Sequence, residues 1–149
     1  MLIRLASGGD GPVSVKDVGL DGRTEADGLA VGQASEWVAQ TIRQLVSGVF
    51  TVRDEDLFQD LYLLDETESL RIEPSAAAGF RGPSWILESE QGRRYLADHA
   101  LTEKMDAATH ILWTTGGALV PDEEYQRFRE RGRQQAALKI YRWGKPSML

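Results

Sequence analysis

The chain has 149 residues, enough for one domain with a substantial core. Its 23 acidic and 17 basic residues give a net charge of −6, which argues against a nucleic-acid partner, since such partners select a basic face. It contains no cysteine, so disulfides and thiolate chemistry are excluded, and no apolar run approaches the roughly 18 residues of a membrane span. The opening residues Met1 to Ala6 are too short an apolar stretch for the core of a signal peptide. A cytoplasmic protein without a membrane partner is expected.

Residues 13–18 alternate apolar and polar side chains at Val13, Val15 and Val18, which predicts a short strand. Glycines then punctuate 19–32. Ser35 is placed to cap a helix with apolar positions Trp37, Val38, Ile42, Leu45 and Val46, and Gly48 to stop it. The β-branched and aromatic run 49–52 predicts a second strand. Asp54 is expected to cap the next helix, whose Leu57, Phe58, Leu61 and Leu64 share one face. Pro74 marks the first turn of another helix, with Ala76 to Ala78 packing closely. A further helix is expected over 91–100. The apolar Ile111, Leu112 and Trp113 predict a strand over 110–115, and the acidic run after Pro121 starts the last helix near Asp122.

Alternating strands and helices point to an α/β domain with parallel strands. The strand candidates are fewer than the roughly five or six of a usual sheet, so the sequence reads as part of such a domain.

The most informative stretch is 110–117, His-Ile-Leu-Trp-Thr-Thr-Gly-Gly. A buried strand ending in Thr-Gly-Gly before a helix is where open α/β sheets bind ligands. Thr115 would present a hydroxyl there, and Gly116 and Gly117 would let something come close to the backbone. The longer phrase 109–124 resembles the end of the D-serine dehydratases, pyridoxal-phosphate (PLP) enzymes of the tryptophan-synthase-β class. Four more stretches resemble that family in its own order: 15–21, the glycine loop 24–32 (Thr-Glu-Ala-Asp-Gly-Leu-Ala-Val-Gly), 47–52, and 71–79 (Arg-Ile-Glu-Pro-Ser-Ala-Ala-Ala-Gly).

The resemblance implies the C-terminal part of a PLP fold-type-II domain over 1–133. It leaves 134–149, with Tyr141 and Trp143, as a tail outside the family pattern. Glu25 adds a charge near the loop, at a place where the family can carry a small residue. By resemblance, Thr115 hydrogen-bonds the pyridine nitrogen of PLP, and Gly28 and Gly116 lie beside the cofactor. The implied substrate is D-serine, converted to pyruvate and ammonia by α,β-elimination. A neutral hydroxyl opposite the pyridine nitrogen is expected to leave that nitrogen unprotonated.

No catalytic residue is assigned. PLP enzymes need a lysine that forms the Schiff base, and none of Lys16, Lys104, Lys139 and Lys145 lies in the family's lysine motif. That motif, the phosphate-binding glycine loop and the cation-binding carboxylate all precede the stretches matched here. The expectation is a C-terminal third of the enzyme, begun at an internal methionine or cut by a gene lesion, and inactive by itself. Two alternatives stand beside it: a non-catalytic partner that docks on a separately encoded N-terminal part, and a decayed product without function.

Each residue also has a plainer reading. Thr115 can be a structural hydroxyl at a strand end, Gly28 a turn residue, and Asp27 a cap. Glu73 can simply favour a helix N-terminus or stand at the rim of the site. His99 and His110 lack the companions of a metal site. The charges of 122–133 read as a solvated helix face, and Trp37, Trp85 and Trp113 as core.

Overall fold

A computed structural model describes residues 14–33 and 35–143, with side chains to 137. The chain forms two compact units that meet at Thr51 and Val52. The described residues are mostly helical, and they contain no β-strand.

In the first unit, the residues expected as a strand at 13–18 form a 3-10 turn at Val15–Val18, with Val13 outside the described residues. Ser14 and Asp17 close a capping box on this turn, and Gly19 ends it at φ 80°. Two contacts cross the glycine-rich stretch that follows. One is an isolated antiparallel bridge between Ser14 and Gln33, and the other is a bond from the Val15 amide to the Gly32 carbonyl at 3.0 Å.

Helix α1 spans Glu36–Ile42, and the Ser35 hydroxyl accepts from the Val38 amide as expected of its cap. It stops well before Gly48, because the Ile42 carbonyl takes the amides of both Leu45 and Val46 in a turn. Its one buried residue is Ala39, while Trp37 is exposed. The run 49–52 has no regular structure.

The second unit is built on two long helices. Helix α2 spans Asp54–Glu68 and buries Leu57, Phe58 and Leu61. Its cap position belongs to Arg53, which makes no side-chain cap bond, and Asp54 is the first helical residue. Asp54, Glu55 and Asp56 then place three negative charges against the positive end of the helix. Helix α6 spans Asp122–Trp143 and lies along α2.

The seam between α2 and α6 holds the core. Phe58 stacks on Phe128 with ring centroids 5.3 Å apart, and Leu61 is fully enclosed. Burying a side chain of this size contributes about 1.5–3 kcal/mol. Arg129 of α6 reaches across to Asp65 at 2.6 Å and also pairs with Glu66. The charged run of 122–133 is therefore not only a solvated face. It carries the buried Tyr125 and Phe128 and the cross-helix arginine.

Between the long helices lie α3 (Pro74–Ala77), a 3-10 turn at Ala78–Arg81, α4 (Gly82–Glu88) and α5 (Glu90–Asp98). Helix α4 has no counterpart in the sequence expectations. Ser89 ends α4 by donating its amide to Trp85 and starts α5 by accepting from Gly92. Arg81 joins this connection to α2, with Nε 2.5 Å from Asp60. A short helix formed by 78–81 and another by 117–119 fill the remaining turns of the unit.

The expected strand at 110–115 has no ladder among the described residues, and Ile111 and Trp113 are 88% and 83% exposed. Trp113, expected in the core, lies on the surface. Strand propensity records how well a side chain fits a pleated, half-buried surface, and a lone segment has no such surface. Among the described residues the helical part of the α/β expectation is thus present and the parallel strands are not.

Gly132 sits where α6 crosses α2. A Cβ at this position would come within 2.0 Å of the Phe58 carbonyl oxygen and 2.6 Å of the Tyr62 Cβ. Replacing Gly132 by Ala is expected to lower stability by about 1–3 kcal/mol or more, read by urea unfolding. Unchanged stability would mean that the helices do not approach this closely.

Candidate functional site

The site is assembled from two segments of the second unit that meet at Thr115. The first is Arg71-Ile72-Glu73, immediately before α3. Ile72 is fully buried and anchors it. Pro74 sets the first turn of α3, and Glu73 occupies the cap position with an extended backbone. The second segment is Thr115-Gly116-Gly117, which turns into the short helix Gly117–Leu119.

Backbone bonds hold the two together. The Glu73 amide donates to the Thr115 carbonyl at 3.1 Å, and the Gly117 amide donates to the same oxygen at 3.0 Å. The Thr115 hydroxyl then donates to Glu73 Oε1 at 3.0 Å, across 42 residues of sequence. Thr115 is exposed and Glu73 half-buried.

Glycine is favoured at 116 by its left-handed backbone and required at 117 by a backbone approach. Gly116 has φ 75°, and a Cβ there would lie 2.1 Å from Glu73 Oε2. At Gly117 a Cβ would lie 2.1 Å from the Arg71 carbonyl oxygen. The sequence anticipated that something comes close to this backbone. What comes close is the chain's own 71–73 segment.

Arg71 fixes the far side. Its guanidinium pairs with Asp122 at 2.6 Å, donates to the Val120 carbonyl at 2.5 Å, and lies over the Tyr125 ring at 4.2 Å. Burial, with the Asp65 carboxylate adding to it, pushes the Tyr125 phenol up to about 12. A neutral ring under the guanidinium is thus maintained well above physiological pH. Arg71 was not singled out from sequence. The only signal was a charge beside the Glu-Pro start, and its partner lies 51 residues away.

Gly28 belongs to the first unit, in a 3-10 turn at Asp27–Leu29. Its amide donates to Asp27 Oδ1 at 2.7 Å, so Asp27 serves its own loop as a hydrogen-bond acceptor. The structure brings Thr115 and Gly116 together with Glu73. Gly28 lies in the other unit.

His99 ends α5, with Nδ1 2.9 Å from the Tyr95 carbonyl and its ring stacked on that of Tyr95. Among the described residues, no group of three His, Asp or Glu side chains is arranged to hold a metal. No helix among them is long and apolar enough to cross a membrane.

Comparison with known proteins places this site in context. No family model matches the chain. It is 53% identical over 129 residues to a probable D-serine dehydratase of Cupriavidus pinatubonensis, a match covering 87% of this chain and 29% of that protein. It is 56% identical over 133 residues to a probable D-serine dehydratase of Burkholderia thailandensis, covering 88% and 29%. A third, from Hahella chejuensis, is 51% identical over 129 residues, covering 86% and 29%. The chain is homologous to the C-terminal part of the D-serine dehydratases. It spans about 29% of the length of these relatives.

Gly116 offers a direct check of the site. Replacing it by Ala brings a left-handed backbone penalty of about 1–2 kcal/mol and pushes the Glu73 carboxylate off the Thr115 hydroxyl, about 0.5–1.5 kcal/mol more. Gly19 has a similar φ of 80° but nothing within 4 Å of a Cβ. Its replacement by Ala is expected to cost only the backbone part, about 1–2 kcal/mol. Thermal unfolding of the two variants side by side reads the difference.

Proposed function

We propose that these residues form the part of a D-serine dehydratase that faces the pyridine nitrogen of PLP, with Thr115 as the contact. Gly116 shapes the turn that presents Thr115. The observation that carries this reading is the exposed Thr115 hydroxyl, held at the mouth of a turn by bonds to Glu73. The chemistry fits, because a hydroxyl has one hydrogen to donate and two lone pairs to accept with, and can meet a ring nitrogen in either protonation state.

When bound, PLP supplies the electron sink that lets D-serine lose its α-proton and β-hydroxyl, giving pyruvate and ammonia. The residues of this chain act by orientation. Thr115 would hold the ring nitrogen through its hydroxyl. The 71–73 segment holds Thr115 in place.

The 149 residues taken alone are expected neither to retain PLP nor to act on D-serine. One hydrogen bond contributes about 0.5–1.5 kcal/mol net, whereas even millimolar binding requires about 4 kcal/mol. None of the four lysines stands in a motif like that of the family. The complete activity then needs the N-terminal part of the dehydratase fold. Its docking is favoured by the exposed Ile111, Trp113 and Leu119, the last 86% exposed, on the segment that leads into and out of the site.

The test is to mix the purified chain with PLP, alone and together with the N-terminal part of the Cupriavidus pinatubonensis relative. Visible absorbance removed by borohydride is expected only in the mixture, with pyruvate formed from D-serine. Borohydride-sensitive absorbance in the chain alone would refute its dependence on a partner. No co-purification and no pyruvate in the mixture would refute the docking role.

A further inference from the structure

Two polar atoms where Arg71 meets α6 are enclosed and make no hydrogen bond to another group among the described residues: Arg71 Nε and the Tyr125 phenol oxygen. Tyr125 is 3% exposed. The other two nitrogens of Arg71 are taken, one by Asp122 and one by the Val120 carbonyl. Asp65 stands close enough to raise the phenol, but its Oδ2 receives Arg129 Nε at 2.6 Å and it makes no direct bond to Tyr125. Folded proteins pair nearly all such enclosed groups, and use ordered water where no protein group reaches.

The two atoms belong to one contact. The guanidinium carbon bonded to Nε lies 4.2 Å from the centre of the Tyr125 ring, and the phenol oxygen is carried on that ring. A single water can reach both. It accepts the Nε hydrogen and shares a hydrogen bond with the hydroxyl, which can donate or accept. The neighbouring Asp65 carboxylate is a further acceptor. The surrounding charges select a neutral occupant, because Arg71 and Arg129 repel a cation while Asp65 and Asp122 repel an anion.

We propose that Arg71 Nε and the Tyr125 hydroxyl hold one internal water, which makes the hydroxyl part of the clamp between α6 and the 71–73 segment. Asp122 and the Val120 carbonyl provide two polar links of that clamp, and the water provides the third. Without it the phenol would contribute only the face of its ring. The site needs neither a cofactor nor a partner chain, so it stands apart from the reading of Thr115.

The test is made by NMR on the full chain with 15N in its arginine side chains. Cross-relaxation between the Arg71 Nε hydrogen and water is expected, with the sign that separates a resident water from chemical exchange. Tyr125→Phe keeps the ring under the guanidinium and removes one anchor of the water. The resident-water signal at Arg71 should then be lost, and the Nε hydrogen should exchange with solvent about fivefold faster, the effect of one hydrogen bond. No resident-water signal in the wild-type chain would overturn the proposal. So would a signal and an exchange rate unchanged in Tyr125→Phe. If that variant does not fold, the wild-type measurement decides alone.

Discussion

The carbonyl oxygen of Thr115 accepts from two amides, Glu73 and Gly117, and the arrangement of the site follows from that double acceptance. It brings two stretches of chain 42 residues apart to one point and requires the backbone after Thr115 to turn sharply. The turn needs φ 75° at Gly116 and admits no side chain at Gly117, where the Arg71 backbone lies. Once the turn is closed, the Glu73 carboxylate and the Thr115 hydroxyl are within bonding distance with little further ordering to do. A hydrogen bond of this kind contributes about 0.5–1.5 kcal/mol net, so it does not fold the unit, but it is enough to select one rotamer of an exposed hydroxyl.

The closure is supported from behind by the seam of α2 and α6. Tyr125 and Phe128 place α6 against α2, and the first turn of α6 carries Asp122 to the Arg71 guanidinium. Arg71 therefore reads the position of α6 and transmits it to the residue before Glu73. This gives the aromatic and helical core a direct part in the geometry of Thr115. A change in how α2 and α6 pack is felt at the hydroxyl through Arg71, Asp122 and the Val120 carbonyl.

Local signals in the sequence carried over well. Ser35 caps α1, Pro74 opens α3, and the acidic run at Asp122 begins α6, because caps and first turns depend on residues close in sequence. The strands did not, because a strand is a property of a pair. Ile111, Leu112 and Trp113 have strand-like side chains, yet no neighbour is paired with them among the described residues. Helix α4 was not anticipated, although Pro83 is well suited to the first turn of a helix. At the site, the residue types were legible and their relations were not. Gly116 and Gly117 announced a close approach, but only the fold shows that Glu73 and Arg71 make it.

Amide hydrogen exchange at Glu73 tests the central claim most directly. Position 73 precedes a helix and lies outside any sheet among the described residues, and its amide donates to the Thr115 carbonyl. If the closure is a stable part of the unit, the Glu73 amide exchanges as slowly as those of Leu57 and Leu61 in α2. Exchange at the rate of an unstructured peptide would contradict it.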